Sequence, residues 1–75
     1  MSVGETRLAL AVITQAIEDF VEPVLTSRHA RQVVIDEARA FLLGDHPDNQ
    51  QAREDWCLLA GIHPDDLRRR VLSLR

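Results

Sequence analysis

The stretch AREDWCLLAGIHPDDLRRRVLSLR, residues 52–75, decides how this chain is read. An apolar-periodic run ends at Gly61, Pro64 follows, and a second amphipathic run starts at once. Gly adopts the left-handed conformation that closes a helix, and Pro suits a first helical turn, where its missing N–H costs nothing. Gly61–Ile62–His63 therefore reads as a tight turn with His63 at the N-cap. Asp65 and Asp66 place negative charge where the helix dipole favours it. Two short helices about a Gly-containing turn follow the grammar of a helix-turn-helix. In that arrangement Cys57 takes the small-residue position where the helices cross. Ile62 and Leu67 wedge between them, and Val71 closes the core.

The same punctuation occurs upstream. GDHPDN at Gly44–Asn49 matches GIHPDD at Gly61–Asp66, each with His, Pro and Asp in succession. Gly44 is expected to end its helix in the left-handed region. The following helix is expected to begin later than in the second copy, at about Asn49, with Asp48 as an alternative cap. His46, His63, Asp45, Asp48 and Asp65 are of metal-ligating type. No pair of them has the i, i+4 spacing of helical metal sites, and Cys57 has no partner thiol, so no metal and no cofactor is expected. Cys57 also lacks a legible His–carboxylate partnership, His29 reads as a solvated surface residue, and there is no phosphate-binding Gly loop. The repeat is punctuation between helices, and no enzyme is expected.

Working outward, helical periodicity covers the remainder. Leu10, Ile13, Ile17, Phe20, Val21 and Val24 recur at spacings of three and four, predicting a first helix over about 5–25. Pro23 kinks or stops it, and Thr26 or Ser27 can cap a second helix over 27–43. That helix turns Ala30, Val33, Val34, Ala38, Phe41 and Leu42 inward. A third helix over 49–60 buries Ala52, Trp56, Leu59 and Ala60, with Trp56 as a central core residue. A fourth, over 64–74, buries Leu67, Val71 and Leu74. No segment alternates as a strand does. The expected fold is all-α: a single domain built as a compact four-helix bundle, its last two helices arranged like a helix-turn-helix.

Composition narrows the classes. A chain of 75 residues buries only about 60% of its unfolded surface. Such small cores often need self-association, and a homodimer is expected. With one Cys there is no internal disulfide, which fits a reducing compartment. The opening MSVGETR lacks the basic stretch and apolar core of a signal peptide, and no apolar run spans a bilayer, so a cytoplasmic protein away from membranes is expected. The net charge is −3, and every basic residue is an Arg. Residues 1–60 carry five Arg against ten acids, whereas residues 61–75 carry Arg68, Arg69, Arg70 and Arg75 against two. An acidic body with a basic tail can present one local anion-seeking face.

EARAFLLGD (37–45) followed by WCLLAGIHPDDLRRRV (56–71) resembles small proteins of phages, prophages and gene-transfer elements of proteobacteria. Their pattern joins an Ala-Arg-x-aromatic-Leu segment, a short acidic loop, an aromatic-Cys pair, a Gly-hydrophobic-x-Pro-Asp turn and an Arg-rich helix. Ala38, Arg39, Phe41, Leu42, Trp56, Cys57, Gly61, Ile62, Pro64, Asp65, Leu67 and Arg68–Arg70 match it. The match covers about the C-terminal half, and the family resembles helix-turn-helix regulators. Two function classes follow. One is a dimeric DNA-binding transcription regulator of a mobile element, contacting DNA through Arg68, Arg69, Arg70 and Arg75, since guanidinium suits guanine edges and phosphate. The other is an adaptor or inhibitor gripping a helix of a host or phage protein, or a small phage assembly protein. Asp65 and Asp66 oppose the DNA class, because they sit where a recognition helix would meet phosphate.

Overall fold

The computed structural model describes residues 3–23 and 27–74, which form four α-helices. These are α1 (Val3–Val21), α2 (Arg28–Leu43), α3 (Pro47–Ala60) and α4 (Pro64–Ser73). Helix α1 packs against both α2 and α3, and α4 closes one end of that group against α2 and α3. The all-α, four-helix expectation holds.

The core mixes small and large side chains. Ala9, Ile13, Phe20, Ala38, Leu42, Cys57, Ala60, Leu67 and Val71 are buried together. Helix axes lie about 8–10 Å apart according to the side chains at the contact, so Ala and Cys at these points let the helices approach closely. Cys57 is fully buried at the expected crossing, and Val71 is fully buried as the closing residue. Ile62 packs against this cluster from the turn, partly buried.

Several residues expected inside lie outside. Helix α1 turns Ala9 rather than Leu10 into the core, and Leu10, Val21, Val33 and Leu74 are all exposed. Trp56 is half-buried at the side of the core rather than at its centre, because Arg53 and Cys57 occupy the inward positions of α3. Helix α1 also ends at Val21, earlier than expected. Pro23, itself buried, disfavours helical geometry in the residue before it. The expected inward placement of Val24 and the possible cap at Thr26 lie outside the described residues. Ser27 does cap α2, its Oγ accepting from the Ala30 N–H at 3.4 Å.

The two Gly residues after helices differ in a way the sequence repeat conceals. Gly61 has φ +74°, and the N–H groups of Gly61 and Ile62 return to the carbonyls of Leu58 and Cys57. Gly44 has φ −66° and ψ 144°, extended backbone that any residue adopts, so the left-handed expectation fails there. Its constraint is steric. A Cβ at Gly44 would lie 2.4 Å from the Ala40 carbonyl oxygen, a backbone atom that cannot swing aside. At Gly61 a Cβ meets nothing within 4 Å, and only the backbone conformation resists substitution.

The reason for the difference is Arg53. Its side chain is buried, with 7% exposure, and Nη1 donates to the carbonyls of Phe41 (3.1 Å) and Gly44 (3.2 Å). A side chain from α3 thereby satisfies carbonyls at the end of α2 that a left-handed Gly would otherwise leave to backbone donors.

Urea unfolding distinguishes the two Gly positions. At Gly61, Asn is expected to cost less than Val, because Asn tolerates positive φ and a β-branched residue does not. At Gly44, Ala alone should cost about 1–3 kcal/mol through overpacking, and Asn no less. Equal tolerance of Ala and Gly at position 44 would contradict the steric assignment.

Candidate functional site

The fourth helix carries the residues expected to contact nucleic acid. A helix advances about 100° per residue, so Arg68, Arg69 and Arg70 spread over most of the circumference away from buried Leu67 and Val71. Among the described residues, the three therefore do not share one face: Arg68 is set apart from Arg69 and Arg70. Arg68 leans toward the α2–α3 junction, its Nη1 3.8 Å from Asp45 Oδ1, beside a crevice shared with Asp36, Arg39 and Leu72. Arg69 points outward, its side chain 77% exposed, and donates to Asp66 one turn earlier on the same helix. Arg69 and Arg70 both line a cleft with Leu10, Ile13 and Ile17 of α1, and Asp66 lies in the same lining. Arg75 lies outside the described residues.

The surrounding charge is acidic. Residues 45–74 hold Asp45, Asp48, Glu54, Asp55, Asp65 and Asp66 against four Arg, a net of −2. One of those four, Arg53, is committed to the α2 carbonyls. The two exposed ion pairs are individually weak, since surface pairs contribute about 0–1 kcal/mol, and a phosphate could displace either carboxylate. The collective field is the larger effect. DNA affinity rests on neutralising several phosphates at once, and on α4 itself Asp65 and Asp66 stand against Arg68, Arg69 and Arg70.

The His-Pro-Asp repeats prove to be one device used twice. His46 is the N-cap of α3, which begins at Pro47 rather than near Asn49. His46 Nδ1 accepts from the Asp48 N–H at 3.1 Å, and His63 Nδ1 accepts from the Asp65 N–H at 3.1 Å. Each imidazole also lies 3.8 Å from the carboxylate of the same Asp. Imidazole Nδ1 thus serves as the cap acceptor more often supplied by a hydroxyl or carboxylate, and the first copy caps as the second does rather than starting its helix later at Asp48–Asn49. Among the described residues, no three His, Cys, Asp or Glu side chains group to hold a metal ion. Burial pushes the Cys57 thiol up, opposed by the positive charge of Arg53. A thiol that is fully buried and raised is a packing residue, as the sequence indicated.

The surface that the sequence did not reveal lies between α1 and α2. An open groove of about 540 Å³ is lined by Ala11, Val12 and Ala16 from α1, by Val34, Ala38 and Phe41 from α2, and by Trp56 from α3. Its polar members are Gln15, Asp19 and Glu37. Gln15 donates to Asp19 at 2.9 Å along α1. Leu8 is exposed one turn before Val12, so the apolar stripe continues beyond the groove. Val34, Phe41 and Trp56 were legible only as inward-facing apolar residues, and periodicity alone cannot distinguish a groove wall from a core.

Comparison with known proteins adds no assignment: no family model, curated protein or solved structure matches the chain. Among the described residues, no helix is long and apolar enough to cross a membrane.

The capping role of the two His residues is testable. His46→Asn and His63→Asn should change stability little, because Asn accepts the same N–H, whereas each Ala substitution should cost about 1 kcal/mol in urea unfolding. A His63→Asn protein of unchanged stability that had lost its partner would contradict capping and return His63 to a binding role.

Proposed function

We propose that this chain is a non-enzymatic binding module that accepts a helix of another protein in the groove between α1 and α2. The observation that carries this reading is the groove itself, an open, mostly apolar channel between two helices, with Phe41 and Trp56 among its lining residues. Amphipathic helices are received in such channels through anchors at i, i+3, i+4 and i+7. A buried small-molecule pocket would instead be concave and enclosed, with several convergent polar groups. The polar residues of this groove lie on its two helical walls, and its apolar surface is continuous.

The DNA-binding regulator is the second reading, favoured by one observation: α3 and α4 meet through the three-residue turn Gly61–His63, and Arg69 and Arg70 are exposed on α4. Such readers ordinarily act as dimers on two half-sites, so a second copy would be needed. The carboxylates around α4 weigh against it, because Asp65 and Asp66 occupy the helix start that would approach phosphate.

A fluorescence titration with pooled duplex DNA at low salt separates the readings. The module reading predicts no binding at protein concentrations up to about 10⁻⁴ M, the weak limit of nonspecific contact. Salt-sensitive binding below that limit, reduced by Arg69→Ala in a protein that stays folded, would replace it with the DNA reading.

A further inference from the structure

We propose that the helix accepted by the α1–α2 groove is a basic amphipathic one from a different protein. This rests on the binding-module reading and names the partner's chemistry. The groove has an acid on each wall, Asp19 from α1 and Glu37 from α2, and no cation among its lining residues. Among the described residues, no Arg pairs with either carboxylate. Arg39 lies on the α2–α4 crevice, Arg53 is buried in its clamp, and the ion pairs of Arg68 and Arg69 go to Asp45 and Asp66. Residues 1–60 carry five Arg against ten acids, so the field over this part of the molecule is negative as well. A helix with an apolar stripe flanked by Lys or Arg fits both features. Its apolar anchors cover Val12, Ala16, Val34 and Trp56, while its long basic side chains lay their methylene stems along the walls and end at the acids.

A second copy of the chain fits less well. An isologous contact through this groove sets the same acids on both sides of the axis, with no lining cation to pair them. The chain's own Arg-rich helix is already committed, because the apolar face of α4 at Leu67 and Val71 is buried in its own bundle.

Trp56 is the only Trp in the chain and lines the groove, so its emission reports directly on occupancy. The probes are three synthetic Trp-free peptides of roughly 18 residues, about five helical turns, with one Leu face flanked by Arg, by Gln or by Glu. The Arg peptide should give a saturable blue shift that weakens with salt, and the Glu peptide should give none. Asp19→Asn combined with Glu37→Gln should weaken the Arg peptide about tenfold at low salt while leaving the circular dichroism unchanged. Ala11→Arg, an exposed substitution into the groove wall, should abolish the shift; a shift that survives it would place the peptide elsewhere and overturn the proposal. Equal binding by the Gln peptide would overturn the basic chemistry and leave the groove as a helix site. No saturable shift with any peptide would overturn the groove reading too. A concentration-dependent shift without peptide, with dimers in sedimentation, would make the occupant a second copy.

Discussion

The guanidinium of Arg53 is the interaction on which the arrangement of helices depends. It lies inside the bundle and bonds the carbonyls of Phe41 and Gly44, so the end of α2 is held by a side chain of α3. A buried charge is tolerable only where it is hydrogen-bonded, and the C-terminal end of a helix, with its partial negative charge, is a suitable place for a cation. With those carbonyls engaged, the chain leaves α2 in extended geometry at Gly44 and reaches the His46 cap within two residues. The clamp therefore sets where α3 begins. It also occupies an inward position of α3, leaving Trp56 to the side, where it becomes part of the groove.

The groove between α1 and α2 follows from this displacement. Had Trp56 filled the centre of the core, Phe41 and Val34 would have closed over it and the face between α1 and α2 would be a sealed contact. Instead the core is assembled from Ala9, Ala38, Cys57 and Ala60 together with Ile13, Phe20, Leu42, Leu67 and Val71, and aromatic surface is left accessible between two acid-bearing helices. On a separate surface, Arg69 and Arg70 of α4 line a cleft with Leu10, Ile13 and Ile17, while Arg68 and Arg69 pair with Asp45 and Asp66. The two surfaces thus differ in kind: one is a mostly apolar groove with an acid on each wall, the other a mixed-charge face.

Much of the fold was legible in the sequence, for identifiable reasons. Gly61, Pro64 and the acidic first turn mark the α3–α4 junction because each residue type answers a specific backbone need. Cys57, Leu67 and Val71 were placed correctly from their spacing to that junction. The errors share one cause, which is that residue type was read without knowing what lay opposite. Leu10 and Val21 are strongly apolar and were assigned inward, yet Ala9 takes the buried position because the helices cross closely there. Arg53 was read only as a charge, since nothing in its neighbours shows that it reaches back to residues 41 and 44. Gly44 matched Gly61 in type while differing in function. The candidate site was least legible: α4 could be recognised as Arg-rich, but the pairing of Arg68 with Asp45 and the groove between α1 and α2 both arise from tertiary contacts.

The central claim is that Arg53 holds the α2–α3 junction through its hydrogen bonds, and urea unfolding of Arg53→Met tests it most directly. Met keeps much of the side-chain volume and removes the donors, leaving the carbonyls of half-buried Phe41 and Gly44 without them. The account predicts a loss of about 2–4 kcal/mol, most of it from those two carbonyls, with a smaller loss for Arg53→Lys, which retains a cationic donor. Arg53→Met as stable as the parent protein, or more stable, would show that packing at this position matters and the hydrogen bonds do not, and would contradict the account.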